Sequence, residues 1–245
     1  TYQDIKDFYN RWYRPDLQAV VVVGDFNADE MVEKIKKVMS DIPAVENPEP
    51  KQVIKIAGND EPMVCVATDP EMTSTRVMMM IKHDPVPKEM NNTIQAFVAN
   101  QMIEMIGSML SNRLSDISLQ PNAPFIAAGS GYGALTDYQD VMQVIAMARD
   151  GEASKAFEAL YAEVEKAQRF GFTMSELERE RAEVLRSAEK GYDNRNDRRN
   201  GELVWKYLNA FRTNSPIPSA ETEYELIKQI IPMLDLNSIN AVAKE

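Results

Sequence analysis

A chain of 245 residues can hold one large domain, or a domain with flanking pieces, around an ample core. Its 44% hydrophobic and 27% charged residues are those of an ordinary globule, and no apolar run approaches the ~20 residues of a membrane span. With 27 Lys and Arg against 38 Asp and Glu the formal charge is −11, which argues against nucleic acid, because phosphates demand clustered cations.

The opening helix carries Phe8, Tyr9 and Trp12 and stops at Pro15. A β-branched strand is expected over residues 19–26, where four consecutive Val lead into Gly24-Asp25. Asn27 and Glu30 then have capping-box spacing for a helix over 28–41. Residues 42–50, with Pro, Asn and Glu, read as a linker. Short strands are expected at 53–56 and 63–68 around a turn at Gly58-Asn59-Asp60, and a third at 75–83, closed by Asp84-Pro85. A long helix should span 91–118, with Ile94, Phe97, Met102, Met105 and Met109 on one face. Residues 125–132 alternate small and apolar side chains as a strand does; 141–149 is a second strand with a helical alternative. Helices follow at 154–170 and, behind a Thr173/Glu176 capping box, to about 190. A polar stretch at 192–200, a helix at 202–212, the turn Ser215-Pro216-Ile217-Pro218 and a helix at 220–231 complete the chain. Strands first, a long helix, more strands and then grouped helices give an α+β class: a two-layer domain whose mostly antiparallel sheet is packed by helices.

The run Tyr13-Arg14-Pro15, the strand into Gly24-Asp25 and the helix behind Asn27 closely resemble the helix–strand–helix segment late in the first domain of pitrilysin/insulinase-type zinc metallopeptidases, the inverzincins. Met109-Leu110-Ser111-Asn112-Arg113-Leu114 with the strand from Phe125 to Gly129 resembles the helix end and following strand of the second domain. Asn214 to Pro218, then Tyr224 to Gln229, resembles the approach to that domain's last helix. The resemblance implies a fold like that of mitochondrial processing peptidases. It also implies a division into residues 1–43 from the catalytic first domain, a linker at 44–50, a non-catalytic second domain at 51–232 and the start of a truncated final unit at 233–245. The residues around Leu234 to Ala243 look like a weak repeat of the opening helix, without the strand that should follow. The segment from Ala19 to Asp41 is therefore expected either to fill that vacant slot or to swap into a neighbouring molecule in a homo-oligomer, because a strand of Val does not stay exposed cheaply.

Such peptidases use H-x-x-E-H, in which two His hold zinc and the Glu activates water. This sequence contains one His and one Cys and no such motif, so zinc is expected on an absent catalytic domain and no cofactor in this chain. The lack of an initiating Met or leader before Thr1 suggests a fragment or a processed product, with periplasm and cytoplasm both open.

The remaining residues are weighed singly. His83, at a strand end, reads as structural, because a lone imidazole is a poor zinc site. Cys65, inside an apolar strand, reads as a buried small hydrophobe. Gly129-Ser130-Gly131-Tyr132-Gly133 lacks the spacing and helix of a dinucleotide loop and reads as a strand needing close backbone approach. The carboxylates from Glu176 to Glu183 read as a solvated helix face, and the Met-rich segments as core filler. By the resemblance, Phe125, Ile126, Ala127, Ala128 and Gly129 form an edge strand facing a substrate chamber, an exosite that pairs with an extended peptide. The expected function is a non-catalytic, chamber-forming domain of a zinc metalloendopeptidase, inactive by itself. Its expected partners are the parent's other domains and peptide substrate, with no nucleic acid and no membrane. The alternative is a degenerate relative serving as scaffold or peptide-binding module.

Overall fold

The computed structural model describes every residue except 52, 54, 55 and 245. Along the chain run α1 (Tyr2–Trp12), α2 (Ala28–Met39), β1 (Thr75–His83), α3 (Ile94–Ser118), β2 (Phe125–Thr136), β3 (Gln139–Ala148), α4 (Ala153–Phe170), α5 (Met174–Asp193), α6 (Asn200–Thr213), α7 (Ala220–Ile230) and α8 (Leu236–Val242). The chain divides into two compact units, Thr1–Val53 with Asp197–Ile217, and Ile54–Asn196 with Pro218–Glu245.

The larger unit holds the sheet, in which β3 lies between β1 and β2 and both pairings are antiparallel. The β2–β3 connection is the tight turn at Asp137-Tyr138, so the two strands form a hairpin, whereas β1 joins them across α3. Alternation gives the sheet two faces. Val77, Met79 and Ile81 of β1 and Val144, Ala146 and Ala148 of β3 point toward α3 and α4, where Met105, Met109, Leu114 and Leu160 are buried, with Leu177 of α5 in the same core. Helices cover this one face, which gives the two-layer α+β arrangement expected from the order of elements. Arg76, Met78, Met80 and Lys82 point the other way, and Met78 and Met80 keep 43% and 47% of their surface exposed.

The helices start where the sequence supplies caps. Thr93 accepts from Ala96 N–H at the start of α3, and the Thr173/Glu176 capping box opens α5 with both of its halves. Asn27 caps α2 by accepting from Asp29 and Glu30 N–H. Gly171 ends α4 at φ +71°, ψ −161°, a region open to Gly, and a Cβ there would meet Asn240 Cγ at 2.4 Å.

Two expected strands differ. Residues 19–26 form no ladder, and Val20 and Val22 are 51% and 43% exposed. Among the described residues of its unit there is no strand to pair with, and β-propensity without a partner makes no sheet. Among the described residues, the segment from Ala19 to Asp41 therefore pairs with no strand. Residues 63–68 are likewise unpaired and exposed. The strand expected at 53–56 falls partly on residues 54 and 55, outside those described. Residues 141–149 resolve as strand rather than helix, because both neighbours supply complete antiparallel registers.

In the smaller unit α1 and α2 bury no residue, while Arg14 is buried, its guanidinium donating to the Glu49 carbonyl. Arg14 Nε lies 3.2 Å from Asp16 Oδ1, a charge contact without hydrogen-bond geometry.

Candidate functional site

β2, which carries the expected exosite residues, has β3 on one side and, among the described residues, no strand on the other. Phe125 at its start is fully buried under the helices, Ile126 and Ala127 are exposed, and Ala128 and Gly129 are half-buried. A register shift between Phe125 and Ala127 marks a bulge, a device that turns an edge strand and leaves a residue unpaired. The Ser130 N–H donates to Ser111 Oγ of α3 at 2.9 Å, and that hydroxyl lies 3.2 Å from the Ser130 carbonyl oxygen. Ser130 Oγ in turn donates to the Gly107 carbonyl at 2.7 Å. The Ser130 peptide groups thus face away from β3, and alternation turns those of Ala128 and Tyr132 the same way. The outer edge of β2 is clasped by α3 at one residue.

Sequence reasoning missed this clasp. Its signal was Gly107 one turn before Ser111, a small pair that allows a strand to approach a helix. Gly129 lies near it, with a Cβ position 3.8 Å from Ser111 Oγ, whereas added Cβ atoms at Gly131 and Gly133 would meet nothing within 4 Å. A contact of 3.8 Å is an ordinary one for a Cβ, so close approach among the described residues requires glycine at none of the three positions, which corrects the reading of this run as a strand needing close backbone approach.

At the far end of the sheet His83 lies opposite Asp140, and its ring centroid is 5.6 Å from that of Tyr132. The Tyr132 hydroxyl donates to Asp140 Oδ2 at 3.3 Å; burial, then the Asp140 charge and this bond, push the phenol up to about 12. The imidazole is therefore packed on an aromatic ring at a strand end, in keeping with a structural role.

A second polar cluster ties α3 to α5. Arg113 donates to Glu176 from Nε at 2.5 Å and from Nη2 at 3.0 Å, and to the Gly171 carbonyl at 2.9 Å, while its guanidinium covers the Phe172 ring at 4.5 Å. Burial alone would raise Glu176, but hydrogen bonds from Arg113 and from Thr173, with the Arg113 charge, bring its carboxyl down to about 2. Glu180, one turn on, is buried with Ser108 Oγ donating at 2.8 Å, and burial pushes its carboxyl up. This corrects the reading of residues 176–183 as a solvated face: the i, i+4 positions 176 and 180 face α3. Cys65 is corrected as well. It is exposed, because residues 63–68 found no ladder.

Zinc does not fit the donor set. His83 faces Tyr132, Cys65 stands alone, and among the described residues no three His, Cys, Asp or Glu side chains gather as a metal site. Also among the described residues, no helix is long and apolar enough to cross a membrane.

An antiparallel sheet backed on one face by helices defines the class of the fold as two-layer α+β. The family described as "Peptidase M16 inactive domain" matches residues 1–184, and the chain belongs to it. It is 24% identical over 237 residues to the "Probable zinc protease PqqL" of Escherichia coli, covering 96% of this chain and 25% of that protein. It is 23% identical to the "Zinc protease PQQL-like" of Arabidopsis thaliana, covering 98% and 22%. Among solved structures, the first half of the periplasmic protease PqqL from Escherichia coli superposes with a TM-score of 0.78 at 21% identity, over 100% of this chain and 52% of that one. A predicted insulinase family protease from Yersinia pestis gives 0.77 at 16%, over 99% and 52%. The structural likenesses show the fold. The chain spans about a quarter of the length of its curated relatives.

Proposed function

We propose that this chain is the chamber-forming, non-catalytic second domain of a zinc-dependent metalloendopeptidase, with the zinc held by a different domain of the parent. Residues 1–43 would belong to the preceding catalytic domain, 44–50 to the linker, 51–232 to the second domain and 233–245 to the opening of the next unit. Within the chamber an extended substrate adds to β2 beside Phe125, Ile126, Ala127, Ala128 and Gly129, held by backbone hydrogen bonds while hydrolysis proceeds elsewhere. The observation that carries this reading is the Ser130 N–H, which donates to Ser111 Oγ and not to β3 and so by alternation turns the Ala128 peptide groups outward on a strand paired, among the described residues, along one side. Small side chains at Ala127, Ala128 and Gly129 favour it, since a second backbone must come within about 4.8 Å.

Ala128→Pro in the full parent tests it. Proline removes an outward N–H without touching the ladder to β3 and is tolerated at such edge positions. The KM for long extended peptides should rise about tenfold while cleavage of short peptides is unchanged, the pattern of lost remote binding. Equal effects on long and short peptides would remove the edge strand from the mechanism. A parent without chelator-sensitive hydrolysis would replace the whole reading with a scaffold.

A further inference from the structure

The side of the sheet opposite the helices differs from the rest of the chain in charge. Its three strands turn to it Arg76, Met78, Met80 and Lys82 from β1, then Val141, Gln143, Ile145 and Met147 beside the glycines of β2; Val141, opposite a half-buried Lys82, is itself buried, so the face is most open toward Arg76, Met78 and Met80. None of these residues is acidic, in a chain whose formal charge is −11. Arg76 is exposed and has no ion-pair partner among the described residues, and Lys82 donates to the Ala57 carbonyl at 2.7 Å. β1 therefore displays, at period 2, a cation, two half-exposed methionines and a second cation, about 20 Å from end to end.

We infer that this sheet face binds an extended peptide with apolar residues at two alternate positions and an acidic residue two places beyond each. The occupant is set by complementarity: acids at positions i and i+6 of an extended strand meet Arg76 and Lys82 while apolar side chains at i+2 and i+4 rest on Met78 and Met80. Methionine accepts varied apolar partners because its side chain is flexible and polarizable. Bare backbone at Gly131 and Gly133, which no neighbour among the described residues requires, leaves the face flat on the far side of β3 from that strip. The net charge alone would have suggested basic peptides; the charge of this face selects the opposite sign. This inference rests on the peptide-holding role proposed above and names the substrate class for it.

The test is fluorescence anisotropy on the full chain with a labelled Glu-Ser-Leu-Ser-Leu-Ser-Glu peptide and its Lys-ended counterpart. The acidic peptide should bind at least about tenfold tighter than the basic one, with an affinity that falls as salt is added. Met80→Glu and Arg76→Glu, both at exposed positions, should each weaken it about tenfold while leaving the thermal melt unchanged. Equal binding of the two peptides, no binding of either, or less than about a twofold change in both variants overturns the inference. Binding that survives Met80→Glu but is lost in Ala128→Pro leaves the edge-strand reading standing and removes this one; the reverse pattern removes the edge strand and keeps the face.

Discussion

Two carboxylates one helical turn apart on α5 should respond to acid in opposite ways. The folded chain holds Glu176 at about 2, below the 4.5 of a free glutamate. Its stabilisation is complete above the free value and is lost as pH falls through the folded one. Arg113→Ala should destabilise the protein by about 3 kcal/mol at pH 7, since Glu176 and the Gly171 carbonyl both lose their donor in a half-buried site. Urea melts at pH 7 and pH 3 decide this: the deficit should shrink toward pH 3, and a deficit independent of pH would leave only lost packing on Phe172. Glu180 has the reverse sign. Its folded carboxyl is raised by burial, so its contribution is complete at low pH and is lost as pH rises through the raised value. Glu180→Gln keeps an acceptor for Ser108 Oγ and should stabilise the chain by about 1 kcal/mol at pH 7, with no gain at pH 4. A loss at pH 7 would mean that the charge has a partner other than Ser108.

At the level of elements, the α4–α5 junction and α8 form one device. Asn240 of α8 accepts from Phe172 N–H through Oδ1 at 2.7 Å and donates from Nδ2 to the Phe172 carbonyl at 3.1 Å, while Ile239 beside it is fully buried. Asn240→Ala strands both backbone groups of a buried residue and should cost about 2 kcal/mol, read as an earlier urea midpoint with an unchanged slope. A midpoint within error of the parent would show that water replaces both bonds. The Thr173/Glu176 cap at this junction was legible because N-capping is local, as was the hydrophobic period of α3; Arg113 and Asn240 were not, being 63 and 68 residues from their partners. β2 was legible from alternation, whereas β3 kept a helical alternative that only its two paired neighbours exclude. The failures share one cause: residues 19–26 and 63–68 have strand composition, but a strand is completed by its neighbour. Cys65 was judged buried only because its strand was assumed, and the edge clasp at Ser130 depended on a helix already being in place.

At the scale of the whole molecule, the donor set decides which metal the chain can hold. Structural zinc takes four ligands and catalytic zinc three plus water, and a folded site contributes its binding energy to stability. This chain has one His and one Cys, and in the fold His83 sits at a strand end against Tyr132 while Cys65 lies in an exposed segment. Carboxylates are plentiful, but the two buried ones, Glu163 and Glu180, are engaged by Lys166 and Ser108. Zinc should therefore be no ligand of the native state. The purified chain, treated with chelator and then supplied with equimolar zinc, should melt at the same temperature within about 1 °C in both states, because a ligand that does not favour the folded form leaves its stability unchanged. Metal analysis after gel filtration should return well under one zinc per chain. One tightly retained zinc, with a melting temperature that falls on chelation, would show that the fold gathers ligands that the described residues keep apart.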